Sequence, residues 1–252
     1  MEKVIAALWA PTDAPREVYA DRLLTSLPRA LIAADARHVR INVRDEAVRA
    51  GAALVQSWQA PQQTAIAQFW LPSANPRFRA AIDAALADHC DRFALWLVTE
   101  SAIIANTAHA PQSDQRTLGQ QTMGQRTWGQ RTWGWSQASF ISFRPDLTRA
   151  AALDQWHGHH TRVAIETQAN FEYIQNLIVR PLTPDAPPYD AFVEECFAIE
   201  ALTEPAAFFD AVGDPVRFEA NLATMMASCQ GFIDFTRIDI MPTSQHDFAL
   251  RD

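Results

Sequence analysis

Residues 139–179 read SFISFRPDLTRAAALDQWHGHHTRVAIETQANFEYIQNLIV, and the fold is decided there. Ser139 to Phe143 is a strand-like run that Pro145-Asp146 ends. From about Thr148 to Ile165, the residues Leu153, Trp156, His160, Val163 and Ala164 fall on roughly one face of a helix. Tyr173 to Val179 is again rich in β-formers and stops at Pro181. Moving outward toward the C-terminus, Tyr189 to Ile199 is a second such run after a Pro-rich connection. A helical region from about Glu204 to Cys229 follows, interrupted near Gly213-Asp214-Pro215, and Phe232 to Ile240 reads as the last strand.

Toward the N-terminus the same order recurs. Val4 to Trp9 is a buried strand ended by Pro11. Asp13-Ala14-Pro15 then caps a helix with Val18, Leu23, Leu24 and Leu27 at helical spacing, expected to end before Pro28. Val39, Ile41 and Val43 alternate with polar residues, and Ala65 to Leu71 is a strand closed by Pro72. Asn75-Pro76 starts a helix carrying Phe78, Ile82, Ala85 and Leu86, and Phe93 to Val98 completes the set.

Strand, helix, strand, strand, helix, strand is the split βαβ, or ferredoxin-like, unit. Each unit makes a four-stranded antiparallel sheet with helices on one face, and its other face has to be buried. Two units in one chain satisfy each other. The expected fold is therefore α+β, two ferredoxin-like βαββαβ units packed sheet to sheet as a dimeric α+β barrel. The units are read as 1–105 and 135–252, joined by a low-complexity linker over 106–134. That linker carries a pentad repeat from Arg116 to Gly134, whose period suits neither helix nor strand. Its aromatic residues Trp128 and Trp133 are candidates for a lid over the cleft.

A net charge of −8, with 21 basic residues spread along the chain, argues against nucleic acid and against an acidic membrane surface. Three well-separated cysteines, Cys90, Cys196 and Cys229, read as small buried thiols of a cytoplasmic protein. The first apolar run is too short for a leader, and no stretch is long enough for a membrane span. There is no Gly-rich phosphate loop, no GxSxG and no CxxCH, so no cofactor is expected. A charged fraction of 20% is low for a fully exposed surface and leaves a homodimer open.

The densest chemistry is Trp156-His157-Gly158-His159-His160-Thr161. Trp156 and His160 are i and i+4 and share a face. His157 and His160 have spacing for two metal ligands but no third, so no metal is expected, and His157 and His159 read as solvent-facing. Glu194 shares a strand face with Phe192 and Cys196, while Glu195 lies opposite with Val193 and Phe197. One of these two glutamates must sit among apolar neighbours. Buried there, a carboxyl is pushed toward its protonated form. Tyr173 and Asn176 point to opposite faces of a regular strand.

Four motifs carry a resemblance: Trp156-x3-His160, Tyr173-x-Gln175-Asn176, Tyr189-Asp190-x3-Glu194-x2-Phe197 and Phe232-x-Asp234. Over residues from about 135 to 245 the chain resembles the EthD family of dimeric α+β barrel proteins. The first half has the element order but Tyr19 and no histidine on its first helix, and looks like a degenerate copy. The resemblance implies a pocket between sheet and helices. Some relatives are cofactor-independent dehydratases, decarboxylases or cyclases, and others have accessory roles in degradation pathways. It selects His160 as acid/base and Glu194 as its partner; the residue types make Trp156 and Phe192 apolar substrate contacts, Tyr173 and Asn176 donors to a substrate oxygen, and Asp234 a pocket group that orients His160 or caps the last strand. The expected function is a lyase or isomerase acting on a small hydrophobic, aromatic or polyketide-like carbonyl compound. The alternatives are an accessory protein that binds such a metabolite, and a haem-linked or oxygen-using monooxygenase of the same fold.

Overall fold

The strands of this chain are apolar on both faces because both faces are covered. In a computed structural model, which describes residues 1–106 and 129–248, β1 (Glu2–Trp9) is buried along almost its whole length. Val4, Ala6 and Leu8 pack outward against helices, whereas Ile5, Ala7 and Trp9 meet Phe140, Phe192 and Met241 from the other half. A strand covered twice reads as a continuous apolar run.

The first half continues with α1 (Arg16–Ala33), β2 (Arg37–Val43), β3 (Ala65–Leu71), α2 (Pro76–Ala87) and β4 (Arg92–Ile104). The second comprises the short β5 (Gln130–Arg131), β6 (Trp135–Ile141), α3 (Arg149–Leu153), α4 (Thr161–Thr167), β7 (Glu172–Pro181), β8 (Ala191–Phe197), α5 (Pro205–Phe208), α6 (Pro215–Gln230) and β9 (Asp239–Asp247). Strand order is β2-β3-β1-β4 in one half and β7-β8-β6-β9 in the other, the same permutation twice. The halves face each other as expected, and they are also stitched along both edges. β4 pairs antiparallel with β7, and Arg40–Val43 of β2 pairs with Ser244–Asp247 of β9. The result is a closed eight-stranded antiparallel barrel with its helices outside.

Three local expectations change. α1 runs through Pro28 to Ala33, because burial of Leu23, Leu27 and Leu31 along one face outweighs one missing N–H donor. The last strand is Asp239–Asp247 rather than Phe232–Ile240. Phe232, Ile233 and Ile238 are instead a loop that covers the α3 and α6 layer, with an isolated Phe143–Ile233 bridge in place of a strand ladder, so their apolar character reports packing. The segment just before β6 is built into the barrel: Gln130 and Arg131 pair with Asp247 and His246, and Thr132 is buried. Trp133 is 58% exposed and packs on Phe171 outside the barrel, while Trp128 and most of the pentad repeat lie outside the described residues.

Gly134 makes the turn into β6 at φ +77°, and a Cβ there would meet the Phe197 carbonyl oxygen at 2.0 Å. Gly134→Ala is expected to lower stability by about 1–3 kcal/mol, from left-handed strain and the backbone clash together. The midpoint of denaturant unfolding measures it, and an unchanged midpoint would contradict the tightness of this turn.

Candidate functional site

The sheet divides the residues that sequence reasoning grouped together. β7 and β8 pair without a register break from Glu172↔Cys196 to Leu177↔Ala191, so no bulge brings Tyr173 and Asn176 to one face. Tyr173 points into the layer between sheet and helices, in one cluster with Trp156, Val193 and Phe232. Phe192 lies in the barrel interior, where its ring is 4.8 Å from that of Phe140. Glu194 and Asn176 share that interior, and neither amide atom of the fully buried Asn176 has a partner.

Glu194 is not the acid that burial alone would make it. Oε1 accepts from Asn42 Nδ2 at 2.5 Å, Ser136 Oγ at 3.0 Å and Gln245 Nε2 at 2.8 Å. Oε2 accepts from Gln68 Nε2 at 2.7 Å and Arg40 Nη1 at 3.1 Å. Burial pushes its carboxyl upward, but the Arg40 guanidinium and the amide donors bring it below the usual glutamate value. It is a fixed carboxylate, separated from His160 by the sheet. Arg40 also holds Glu172 at 2.5 Å and Asp247 at 2.7 Å, and Lys3 holds Glu100 at 2.5 Å. These ion pairs fill one end of the barrel. Trp9, Trp96, Phe140, Tyr189 and Trp58 fill the other.

The second layer is chemically different. Between α3 and α4 the helix widens into a π-helical segment, Asp154–His160, a feature often found at functional sites. Trp156 and His160 turn inward from it, whereas His157 and His159 stay exposed, as their spacing implied. The Trp156 ring lies 5.9 Å from Phe143 and 6.2 Å from Phe232, and the His160 ring 4.9 Å from Phe232. His160 Nδ1 is 3.0 Å from Ser228 Oγ on α6. Burial, reinforced by His159, lowers its pKa to about 4, so the imidazole is neutral near pH 7. Beside it, Thr161 Oγ1 accepts from Gln175 Nε2 at 2.9 Å, and the same amide donates to Tyr173 Oη at 2.7 Å.

Directly across the strand pair from Tyr173 stands Glu195, which is 6% exposed. Its Oε1 accepts from Asn170 Nδ2 at 2.9 Å and its Oε2 from Gln137 Nε2 at 3.5 Å. Burial pushes this carboxyl up to about 7. Sequence reasoning noticed Glu195 among apolar neighbours but took Glu194. No feature of the sequence separates the two, because the pairing of Glu195 with Tyr173 appears only in the sheet register, and Ser228 and Asn170 carry no signal of their own. Asp234 does not orient His160: its Oδ1 accepts from Thr236 N at 3.0 Å and Oγ1 at 2.6 Å in an exposed turn, because its chain segment is a loop and not a strand.

The two shifts act on stability with opposite sign. For His160 the folded value lies below the unfolded one, so its contribution is complete above about pH 6.5 and is lost as pH falls toward 4. For Glu195 the folded value lies above the unfolded one, so its contribution is complete below about pH 4.5 and is lost as pH rises through 7. Each window spans on the order of 3 kcal/mol. Glu195→Gln should therefore flatten the decline in stability between pH 5 and pH 8, measured by urea unfolding. A decline as steep as in the parent chain would place the titrating group elsewhere.

Among the described residues no group of three His, Cys, Asp or Glu side chains is placed to hold a metal ion, and no helix is long and apolar enough to cross a membrane. Solved structures match the chain at low identity. An anthrone oxidase-like protein is 8% identical, covering 98% of this chain and 90% of that one at a TM-score of 0.51. A monooxygenase candidate from Lactobacillus acidophilus is 9% identical, with 97% and 93% covered and a TM-score of 0.47. A chlorite dismutase from Candidatus Nitrospira defluvii is 11% identical, with 97% and 90% covered and a TM-score of 0.41. No curated protein matches the chain. Residues 144–236, which carry the π-helical segment, Trp156, His160, Tyr173 and both glutamates, match the EthD domain family.

Proposed function

We propose that the chain is a cofactor-independent lyase or isomerase that moves a proton on a small hydrophobic carbonyl compound, with His160 as the acid/base group. One observation carries the reading. A neutral imidazole, held through Nδ1 by Ser228, sits in a layer whose walls are the aromatic rings of Trp156, Phe232 and Phe143. Such a group can accept a proton from carbon and return it, and apolar walls suit an aromatic or polyketide-like substrate. Trp156 would contact the substrate, and the Tyr173 hydroxyl would donate to a carbonyl oxygen. Its phenol is kept protonated by burial. Asn176 and Phe192 belong to the barrel interior and take no part in this reading. The three free cysteines fit a reducing, cytoplasmic setting.

The test is exchange of the α-hydrogens of 4-phenylbutan-2-one in deuterium oxide, followed by NMR. Exchange catalysed by the parent chain and lost in His160→Ala supports the reading. Binding of the ketone with no exchange would instead support the accessory, ligand-holding role, which the near-complete burial of His160 also fits.

A further inference from the structure

We propose that the barrel interior is a binding site for an enclosed water molecule, held between Asn176 and Lys3 at the seam where β4 and β7 join the two halves. Asn176 is one of the residues that carry the family resemblance, and the acid/base reading of His160 leaves it without a task.

Strand alternation brings the partners together. The inward positions of β7 are Glu172, Ile174, Asn176 and Ile178, running from the ion-paired end of the barrel to its aromatic end. Asn176 stands at the boundary between the two. Across the seam it pairs with Glu100 on β4, and on its other side with Phe192 on β8. Residues directly opposite on one face have Cβ atoms about 5 Å apart. The Glu100 carboxylate accepts from Lys3 Nζ at 2.5 Å, so the ammonium is drawn into the same neighbourhood from β1.

The hydrogen bonds at this point do not close among the described residues. Asn176 is fully buried, yet neither its Nδ2 nor its Oδ1 has a partner. An ammonium has three N–H donors, and Lys3 uses two, toward Gln68 Oε1 at 3.0 Å and Glu100 Oε2. The neighbouring Gln68 amide is already spent on Asn42 Oδ1 and Glu194 Oε2. A buried amide left bare forfeits its hydration without return, and protein interiors satisfy such groups with enclosed water. A water that accepts from Lys3 Nζ and donates to Asn176 Oδ1 supplies each with its missing partner, and its second lone pair takes an N–H of Asn176. The guest has to be that small. An eight-stranded barrel is just wide enough to be filled by side chains, and Lys3, Val98, Ile178 and Phe192 are all buried around the amide. Lys3 belongs to the first half and Asn176 to the second, so the water ties the halves together inside the ladder that joins β4 to β7.

Oxygen-17 relaxation dispersion of the solvent, measured on the full chain, counts the waters held for longer than the protein takes to tumble. Its amplitude should fall by the contribution of about one water per chain in Asn176→Leu, whose larger apolar side chain takes the space of amide and guest together. A second readout needs no variant. In the parent chain labelled with nitrogen-15 asparagine, the Asn176 side-chain N–H protons should show direct magnetisation transfer with a long-lived water. This keeps the proposal testable if Asn176→Leu does not fold. An unchanged dispersion amplitude in a folded Asn176→Leu would overturn it. So would a parent Asn176 amide with no transfer from water and N–H protons shifted upfield by the Phe192 ring, since the amide would then be dry and donating to that ring.

Discussion

Replacing Arg40 with methionine is expected to cost about 3–5 kcal/mol of folding stability. The guanidinium lies inside the barrel and answers three carboxylates, Glu172, Glu194 and Asp247. Glu194 is fully buried and Glu172 nearly so. Methionine has similar length but leaves negative charges facing one another without a cation. The stranded groups would then take up protons. Arg40 is what holds Glu194 below its ordinary value, so that stabilisation exists above the unfolded carboxylate value and disappears as pH falls. Parent and variant should therefore differ most at neutral pH and converge only as pH falls below about 4.5 in denaturant titrations. A loss below about 1 kcal/mol at pH 7.5 would show that the interior hydrogen bonds suffice without the charge.

His160→Ala is expected to lower turnover by about 10²–10⁴-fold, or roughly 3–5 kcal/mol of barrier. The side chain is only 8% exposed, so truncation also opens a small cavity and deprives Ser228 of its partner. His160→Gln separates the two effects, since its amide can still reach toward Ser228 while offering no proton exchange near neutral pH. Activity should be lost in both variants, and stability mainly in the alanine one. His157→Ala and His159→Ala should each cost less than about tenfold, because both rings face solvent. Full turnover in His160→Gln would remove the histidine from the chemistry.

The fold was legible because its signals are local and redundant. Pro11, Pro72 and Pro181 mark strand ends, Asn75 and Pro76 open a helix as read, and the element order repeats. Phe232, Ile233 and Ile238 misled because a loop that covers a helix layer needs the same apolar residues as a strand. Pro28 misled because propensity yields to a buried face of leucines. In the site, the Trp156 and His160 pair could be read, since helical spacing survives the π-helical widening. The choice between Glu194 and Glu195 could not. In an open sheet the charged face is the wet one, but a barrel wrapped by helices is dry on both sides. Alternation then shows that two adjacent glutamates part company without showing which joins the helix layer. Only the position of Arg40, distant in sequence and near in space, settles which of the two is an anion.

Closure of the ring within a single chain bears on how copies of this protein meet. Each four-stranded half, taken by itself, would present two open borders of unpaired backbone N–H and C=O groups. Segments such as Phe93–Val98 of β4 and Tyr173–Val179 of β7 are of the kind that recruit further strands into fibrils or exchange them between molecules. Joining β4 to β7 and β2 to β9 uses those borders up. Among the described residues both long borders are thus paired within the chain, so association of folded copies falls mainly to side chains on the helical exterior, and the hazard of strand exchange is greatest before the ring has closed.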